Sequence, residues 1–257
     1  MGPKALEVVI ARRELVAPEH VELYFSHPAL KEAVPGQFAH IATVGTLRRP
    51  ISFSRIGEAG EAAVLFRVVG RGTAWLAERR EGEVLDLLAP LGRGYPPPDP
   101  GRPWCLVGGG VGIPPLYAAL GKWGRGMQSM ATVILGARTA AAVLMADDFR
   151  ALGVEPTITT DDGSLGERGT VLGPLRRWWQ THPEGQVYAC GPTPMLAAIA
   201  RLKSPGGRLY LGMEQRMGCG VGACLACVVP AAGAAMPPWR RVCSDGPVFA
   251  AEELRLD

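Results

Sequence analysis

The chain is expected to fold as a multidomain protein: an antiparallel β-barrel over residues 1–98, a doubly wound α/β domain over 99–211, and a small cysteine-rich domain over 212–257. Three features of the 257 residues lead there. The first third alternates short β-branched and apolar runs with Gly and Pro. The middle third alternates strand-like with helix-like segments. Four of the six cysteines crowd into the last 39 residues. At 47% hydrophobic and 20% charged, the chain has material for more than one packed core and no signature of disorder.

In the barrel, Glu7–Ala11, His20–Phe25, Gln37–Thr43, Ala62–Val69 and Val84–Leu87 read as strands. Tyr95-Pro96-Pro97-Pro98-Asp99-Pro100-Gly101 supports neither helix nor central strand, because ring-locked and glycine positions break it, so a boundary falls there. Beyond it Trp104–Val107, Thr132–Ala137, Glu155–Thr160, Val187–Cys190 and Arg208–Leu211 read as buried strands. Pro114–Trp123, Ala140–Leu152, Val171–Gln180 and Pro194–Leu202 read as the helices between them. Such alternation implies a parallel sheet covered on both faces. The tail is rich in Gly and Ala and poor in core residues, so it needs a metal staple. A net charge of +3 without a Lys/Arg block argues against a nucleic-acid partner. No apolar run reaches the ~18–20 residues of a membrane span.

The tail carries the most specific chemistry. Cys219, Cys224 and Cys227 are spaced C-x4-C-x2-C, and Cys243 comes after fifteen more residues, a variant of the plant-type [2Fe–2S] pattern. Three thiolates converge from one loop, and Gly218, Gly220 and Gly222 let backbone amides approach the sulfurs. Structural zinc also takes four thiolates, but it favours two C-x2-C knuckles, and only Cys224/Cys227 has that spacing.

Gly108, Gly109, Gly110 and Gly112 follow one strand and open a helix, where bare backbone and the helix N-terminus suit a diphosphate. Ile113 takes the third slot of G-x-G-x-x-G, so an ordinary tight turn reads almost as well. Cys190, Gly191 and Pro192 end another strand, at the edge where open α/β sheets bind ligands. In the barrel, Arg49-Pro50-Ile51-Ser52 suits a diphosphate and a ring nitrogen, and Gly70-Arg71-Gly72-Thr73 a second phosphate edge. His20, His27, His40 and His182 are scattered and read as surface or satisfied side chains rather than an acid–base pair.

In this order the motifs resemble the ferredoxin–NADP reductase superfamily, a flavin barrel followed by a pyridine-nucleotide domain. Arg49-Pro50-Ile51-Ser52, Pro35-Gly36-Gln37-Phe38 and Cys190-Gly191-Pro192 carry that likeness. Val68–Thr73, Gly108–Pro115, Thr160–Ser164, Cys219–Cys227 and Arg241–Phe249 narrow it to the electron-transfer subunits of class 1B dihydroorotate dehydrogenases. The likeness runs over nearly the whole chain.

It implies one FAD, one [2Fe–2S] cluster on the four late cysteines, and an NAD site. For FAD it implies Arg49, Pro50, Ile51, Ser52, Gly72 and Thr73, with Phe66, Arg67 and Val68 acting through backbone. For NAD it implies Gly108, Gly109, Gly110, Gly112, Gly191 and Pro192, with Cys190 beside the nicotinamide and Asp161 or Asp162 on a ribose hydroxyl. Arg138 would instead suit a 2′-phosphate, so NAD and NADP stay open on residues alone. The implied partner is an FMN-bearing dihydroorotate-oxidising subunit, two of each forming a cytoplasmic heterotetramer in pyrimidine biosynthesis. Two rivals remain: the flavin/iron–sulfur subunit of a sulfhydrogenase or of an NADH–ferredoxin:NADP oxidoreductase, and a non-catalytic zinc-binding module.

Overall fold

The computed structural model describes residues 4–124, 126–204 and 206–256. The barrel comprises β1 (Lys4–Ala17), β2 (His20–Ser26), β3 (Phe38–Ile41), β4 (Arg49–Ile56), β5 (Glu61–Arg67) and, after helix α1 (Arg71–Ala77), β6 (Val84–Leu91). Every pairing is antiparallel and the order β1-β2-β5-β4-β3-β6 closes on itself, which leaves no open sheet edge. Along β1, Leu6, Val8 and Ile10 point inward while Glu7 and Val9 stay exposed, the period of two that sets a strand's register. Phe53, Leu23 and Leu87 fill the interior, and Leu76 of α1 joins the same core.

Five barrel strands are expected, with residues 48–52 placed just after one of them; the structure instead runs β4 straight through Arg49–Ile56. Its buried Ile51 and Phe53 are flanked by Arg and Ser, which hides the strand from a composition-based reading.

The second unit alternates β7 (Trp104–Gly109), α2 (Ile113–Trp123), β8 (Ala131–Ala137), α3 (Ala146–Ala151), β9 (Thr157–Thr160), β10 (Glu167–Arg168), α4 (Leu172–Thr181), β11 (Gln186–Cys190), α5 (Thr193–Leu202) and β12 (Arg208–Gly212). The strands run parallel in the order β10-β9-β8-β7-β11-β12. The chain thus builds outward from β7 in one direction, then returns to β7's other side with β11. That reversal is the place where open α/β sheets bind ligands. The single helix expected over Ala140–Leu152 is broken into a short turn, Ala140–Ala142, and α3. Met145 takes φ 58° between them, and both Leu144 and Met145 are buried, so core packing overrides the helical preference of the alanines.

The tail forms a ribbon of β13 (Val228–Pro230) and β14 (Trp239–Arg241), then β15 (Val248–Ala250), which joins the main sheet antiparallel to β12. Cys227, Val229, Val242, Cys243 and Phe249 pack into one core with Leu175, Leu196 and Leu211 of the nucleotide unit. The metal staple expected for so short a segment is therefore supplemented by a borrowed core.

A polar network ties barrel to nucleotide unit. Glu22 is 1% exposed and accepts from Ser54 Oγ (2.7 Å), Tyr24 OH (2.7 Å) and Arg55 Nε (3.0 Å). Arg55 also reaches across to Tyr117 OH (3.1 Å) on α2 and to Asp148 (2.6 Å) on α3. A buried carboxylate is tolerable because it is paired and fully hydrogen-bonded.

Candidate functional site

Two clefts and one loop gather the candidate residues. The first cleft, about 820 Å³, lies between barrel and nucleotide unit. Arg49, Pro50, Ile51 and Ser52 of β4 and Phe66 and Arg67 of β5 line it, with Thr73 at the start of α1. β4 and β5 are neighbours in the barrel, so residues 14 or more apart in sequence share one wall. Val68 and Gly72 are not in the lining. Gly72 instead lies under the Arg49 guanidinium, where a Cβ would collide with it. Arg49 is held by its own strand entry, donating to Leu47 O at 2.7 Å. The Thr73 hydroxyl accepts from Val69 N (2.9 Å) and Gly70 N (3.1 Å), which orders the turn beside the cleft. Four arginines line the cleft; Arg48 is paired with Asp86 (2.7 Å) and Arg67 with Glu19 (2.9 Å), so Arg49 and Arg216 are the guanidiniums better placed to meet a dinucleotide's diphosphate. The cleft's size and its apolar wall of Pro50, Ile51, Phe66 and Pro114 fit a flavin ring.

The second cleft, about 720 Å³, opens at the strand-order reversal. Cys190 pairs with Gly108 across β11 and β7, so the two glycine-bearing turns are brought side by side. Gly109, Gly110, Gly112, Gly191, Pro192 and Asp161 line the cleft, as do Arg138 and Thr139. Gly112 is required by close approach: a Cβ there would strike the backbone of Cys190. Gly108 and Cys190 sit beneath the floor rather than in the lining. The Cys190 side chain is 6% exposed and lies against Gly212 and Tyr95, and burial pushes its thiol well up, so it stays protonated. Arg67, Val111 and Glu214 line both clefts, which therefore meet. Desolvation by the surrounding cleft walls raises the Glu214 carboxyl, although the residue is exposed. Glu214, Arg216 and Met217 belong to the tail, and sequence reasoning missed them because nothing local marks a residue that reaches a cleft only through tertiary folding.

Two residues past Met217 the cysteine loop begins. The structure brings its four thiols together as two pairs. Cys224 N donates to Cys219 Sγ and Cys219 N to Cys224 Sγ, each at 3.4 Å, while Cys243 N donates to Cys227 Sγ at 3.4 Å. Amides of Val221 (3.4 Å) and Ala223 (3.3 Å) also point at Cys219 Sγ, and Gly222 N (3.2 Å) points at Cys243 Sγ. Gly220 and Gly222 adopt φ 73° and 86°, the left-handed turns that fold these amides inward. Desolvation works to raise the Cys219 thiol, but the amides of Val221, Cys224 and Ala223 outweigh it and bring it down to about 6. Burial and Cys227 push Cys243 up to about 12. Among the described residues, no three His, Cys, Asp or Glu side chains converge as ligands of a single metal ion. Two thiol pairs, each with amide donors, instead suit a two-iron centre with two thiolates per iron. Arg241 braces the loop through Gly222 O (3.2 Å) and a paired contact with Asp245 (2.8–3.1 Å).

Of the four histidines, three fit the bland expectation and one does not. His40 is wholly buried, and among the described residues neither ring nitrogen has a hydrogen-bond partner. Burial, with Arg48 and Arg49 nearby, lowers its pKa and keeps the ring neutral.

The iron–sulfur cluster binding domain of dihydroorotate dehydrogenase B matches residues 214–255, spanning all four cysteines, and an oxidoreductase NAD-binding domain matches 106–201. The first match favours iron–sulfur over structural zinc. The chain is 40% identical over 258 residues to the dihydroorotate dehydrogenase B (NAD(+)) electron transfer subunit of Bacillus caldolyticus, covering 97% of this chain and 98% of that one. It is 41% identical to the same subunit of Geobacillus thermodenitrificans, over the full length of both. A chain of an NADH-dependent reduced ferredoxin–NADP oxidoreductase, studied for flavin-based electron bifurcation, superposes with TM-score 0.82 at 29% identity, covering 100% of this chain and 92% of that one. Phthalate dioxygenase reductase shares the fold, with TM-score 0.65 at 16% identity, covering 89% of this chain and 87% of that one. FAD, a [2Fe–2S] cluster and NAD are thus the cofactors of an NAD-linked oxidoreductase. No helix among the described residues is long and apolar enough to cross a membrane. With this identity over essentially the whole length, and with both domain matches in order behind the barrel, the chain belongs to the family of dihydroorotate dehydrogenase B electron transfer subunits.

Proposed function

We propose that this chain delivers the electrons of dihydroorotate oxidation to NAD in pyrimidine biosynthesis. Its partner is an FMN-bearing catalytic subunit, and two copies of each form a cytoplasmic heterotetramer. Residues 1–98 act as the flavin unit, 99–211 as the nucleotide unit and 212–257 as the cluster unit. The observation that carries this reading is continuity: Arg67, Val111 and Glu214 line both clefts, and Met217, in the flavin cleft, stands two residues from Cys219.

The residues divide the work. Cys219 with Cys224, and Cys227 with Cys243, hold the two irons. The amides of Val221, Gly222, Ala223 and Cys224 stabilise charge on the sulfurs. Arg49 takes a flavin diphosphate, with Gly72 leaving room beneath its guanidinium. Pro50, Ile51, Ser52, Phe66, Arg67 and Thr73 shape the wall of the cleft, with Val68 continuing the chain behind it. Gly109, Gly110 and Gly112 bring backbone to a nucleotide diphosphate, with Gly108 supporting them from the strand. Gly191 and Pro192 shape the nicotinamide end above Cys190, and Asp161 accepts from a ribose hydroxyl. When bound, flavin supplies the exchange between single electrons and hydride that an iron–sulfur centre and a nicotinamide cannot make directly. The chain's own task is therefore orientation, and no acid–base side chain is called for.

Cys224→Ser tests the division. Reduction of the FMN partner by NADH should fall at least ~100-fold, about 2.7 kcal/mol at ~1.36 kcal/mol per tenfold, while NADH oxidation by a soluble dye stays within a few-fold. Equal loss of both rates, with FAD still bound, sinks the proposal. The overall superposition at TM-score 0.82 favours a second reading, the flavin subunit of an electron-bifurcating oxidoreductase. Co-purification separates them: an FMN protein that oxidises dihydroorotate supports the first, a larger flavin subunit the second. Arg240→Glu maps the docking face, with loss of complex formation expected. Arg241 is unsuitable for that purpose because it braces the cysteine loop.

A further inference from the structure

One buried side chain of the barrel meets the cysteine loop. His40 of β3 stands in register with Pro50 of β4, which lines the cleft. Its ring faces the loop: a Cβ built on Gly220 would lie 2.5 Å from His40 Nδ1. Gly220 therefore serves a second purpose besides its left-handed φ, since it admits the imidazole against the backbone that joins Cys219 to the loop.

The ring is 0% exposed, and among the described residues neither nitrogen is hydrogen-bonded. The carbonyls of Arg48 and Cys219 lie near it without closing a well-formed bond. Burying an unpaired N–H costs stability, and a Phe or Leu at this position would fill similar space without that cost. Packing alone does not account for an imidazole here. What a neutral imidazole adds over a phenyl ring is an N–H dipole beside a centre that becomes more negative on reduction. Such dipoles near the sulfurs raise an iron–sulfur potential.

We propose that His40 is a positioning residue for the cluster: its ring N–H closes on the Cys219–Gly220 backbone when the loop holds iron and stabilises the reduced cluster. This inference rests on the ligand set proposed above.

The test uses full-length protein purified anaerobically: wild type, His40→Phe and His40→Asn. Iron, sulfide and FAD are assayed, and cluster reduction is followed by EPR through a redox titration. His40→Phe should keep its iron yet shift the reduction equilibrium at least tenfold toward the oxidised form, about 59 mV for one electron, with altered g-values. His40→Asn, which keeps a donor near Nδ1, should recover at least half of that shift. A His40→Phe cluster with wild-type potential and spectrum overturns the inference, as does an Asn variant shifted as far as Phe. If His40→Phe fails to hold iron, pulsed EPR of the reduced wild type labelled with 15N-histidine decides. A histidine nitrogen coupled to the cluster is expected, and its absence overturns the inference. Wild-type protein without iron would instead sink the ligand assignment itself, a separate failure.

Discussion

The barrel and the cysteine-rich tail are stabilised in opposite ways. The barrel closes six strands around side chains drawn from its own sequence and from α1, with Leu23, Phe53 and Leu87 wholly buried. The tail has no such interior: Cys227, Val229, Val242 and Phe249 are buried by inserting into the nucleotide unit, and β15 is paired only because β12 offers an edge. A closed sheet is satisfied in itself, whereas a short Gly- and Ala-rich segment is not, so the tail depends on its neighbour and on metal. The difference suits the work. Flavin needs a rigid wall, and the cluster needs a loop near both the flavin cleft and the surface.

The largest expected effects come from breaking each core in turn. Phe53→Ala should cost about 3–5 kcal/mol and release FAD together with barrel structure, read by denaturant unfolding and flavin fluorescence. Phe249→Ala attacks the borrowed core at similar cost, about 3–5 kcal/mol, but should lower iron content while FAD remains bound. If Phe249→Ala loses flavin before iron, the tail is not the dependent partner. A milder perturbation is removal of iron by a chelator. Hydrogen exchange should rise across residues 218–245 and stay unchanged along β1, β2 and β5; equal loosening of the barrel would break the contrast.

The smallest expected effect concerns Glu214, a tail residue placed where the clefts join. Packing between the two cleft walls raises its carboxyl while the side chain stays open to solvent, so the ionisation is expected in the pH profile of the reaction rather than in stability. NADH oxidation by a dye should show this ionisation above the usual carboxylate range, and Glu214→Gln should remove it with only a few-fold change in rate. An unchanged pH profile would detach Glu214 from the nucleotide end.

Much of the site is legible along the chain, for physical reasons that differ by residue. The cysteine spacing is local chemistry for three of the four candidate thiolates, which come from one tight loop whose left-handed turns Gly220 and Gly222 mark, whereas Cys243 is brought to it by the β13–β14 ribbon. Gly109 to Gly112 and Gly191 are legible as strand-to-helix turns. β4 is not, because Arg49, Ser52 and Arg55 face a cleft and a neighbouring unit rather than water, which breaks the alternation a barrel strand otherwise shows. His40 reads as an ordinary histidine until β3 is set against the cysteine loop.

By itself the amino-acid order marked which cysteines are candidates to hold iron, where backbone bends tightly enough for a diphosphate, and that a barrel precedes a parallel sheet. These features arise from bond geometry and period within a few residues. Only the tertiary structure decided that Gly108 and Cys190 lie side by side, that Glu214 and Met217 complete clefts built by other units, and that His40 of the barrel meets the cysteine loop. Such juxtapositions arise where separate apolar faces must be buried together, and no local stretch of chain encodes which faces meet.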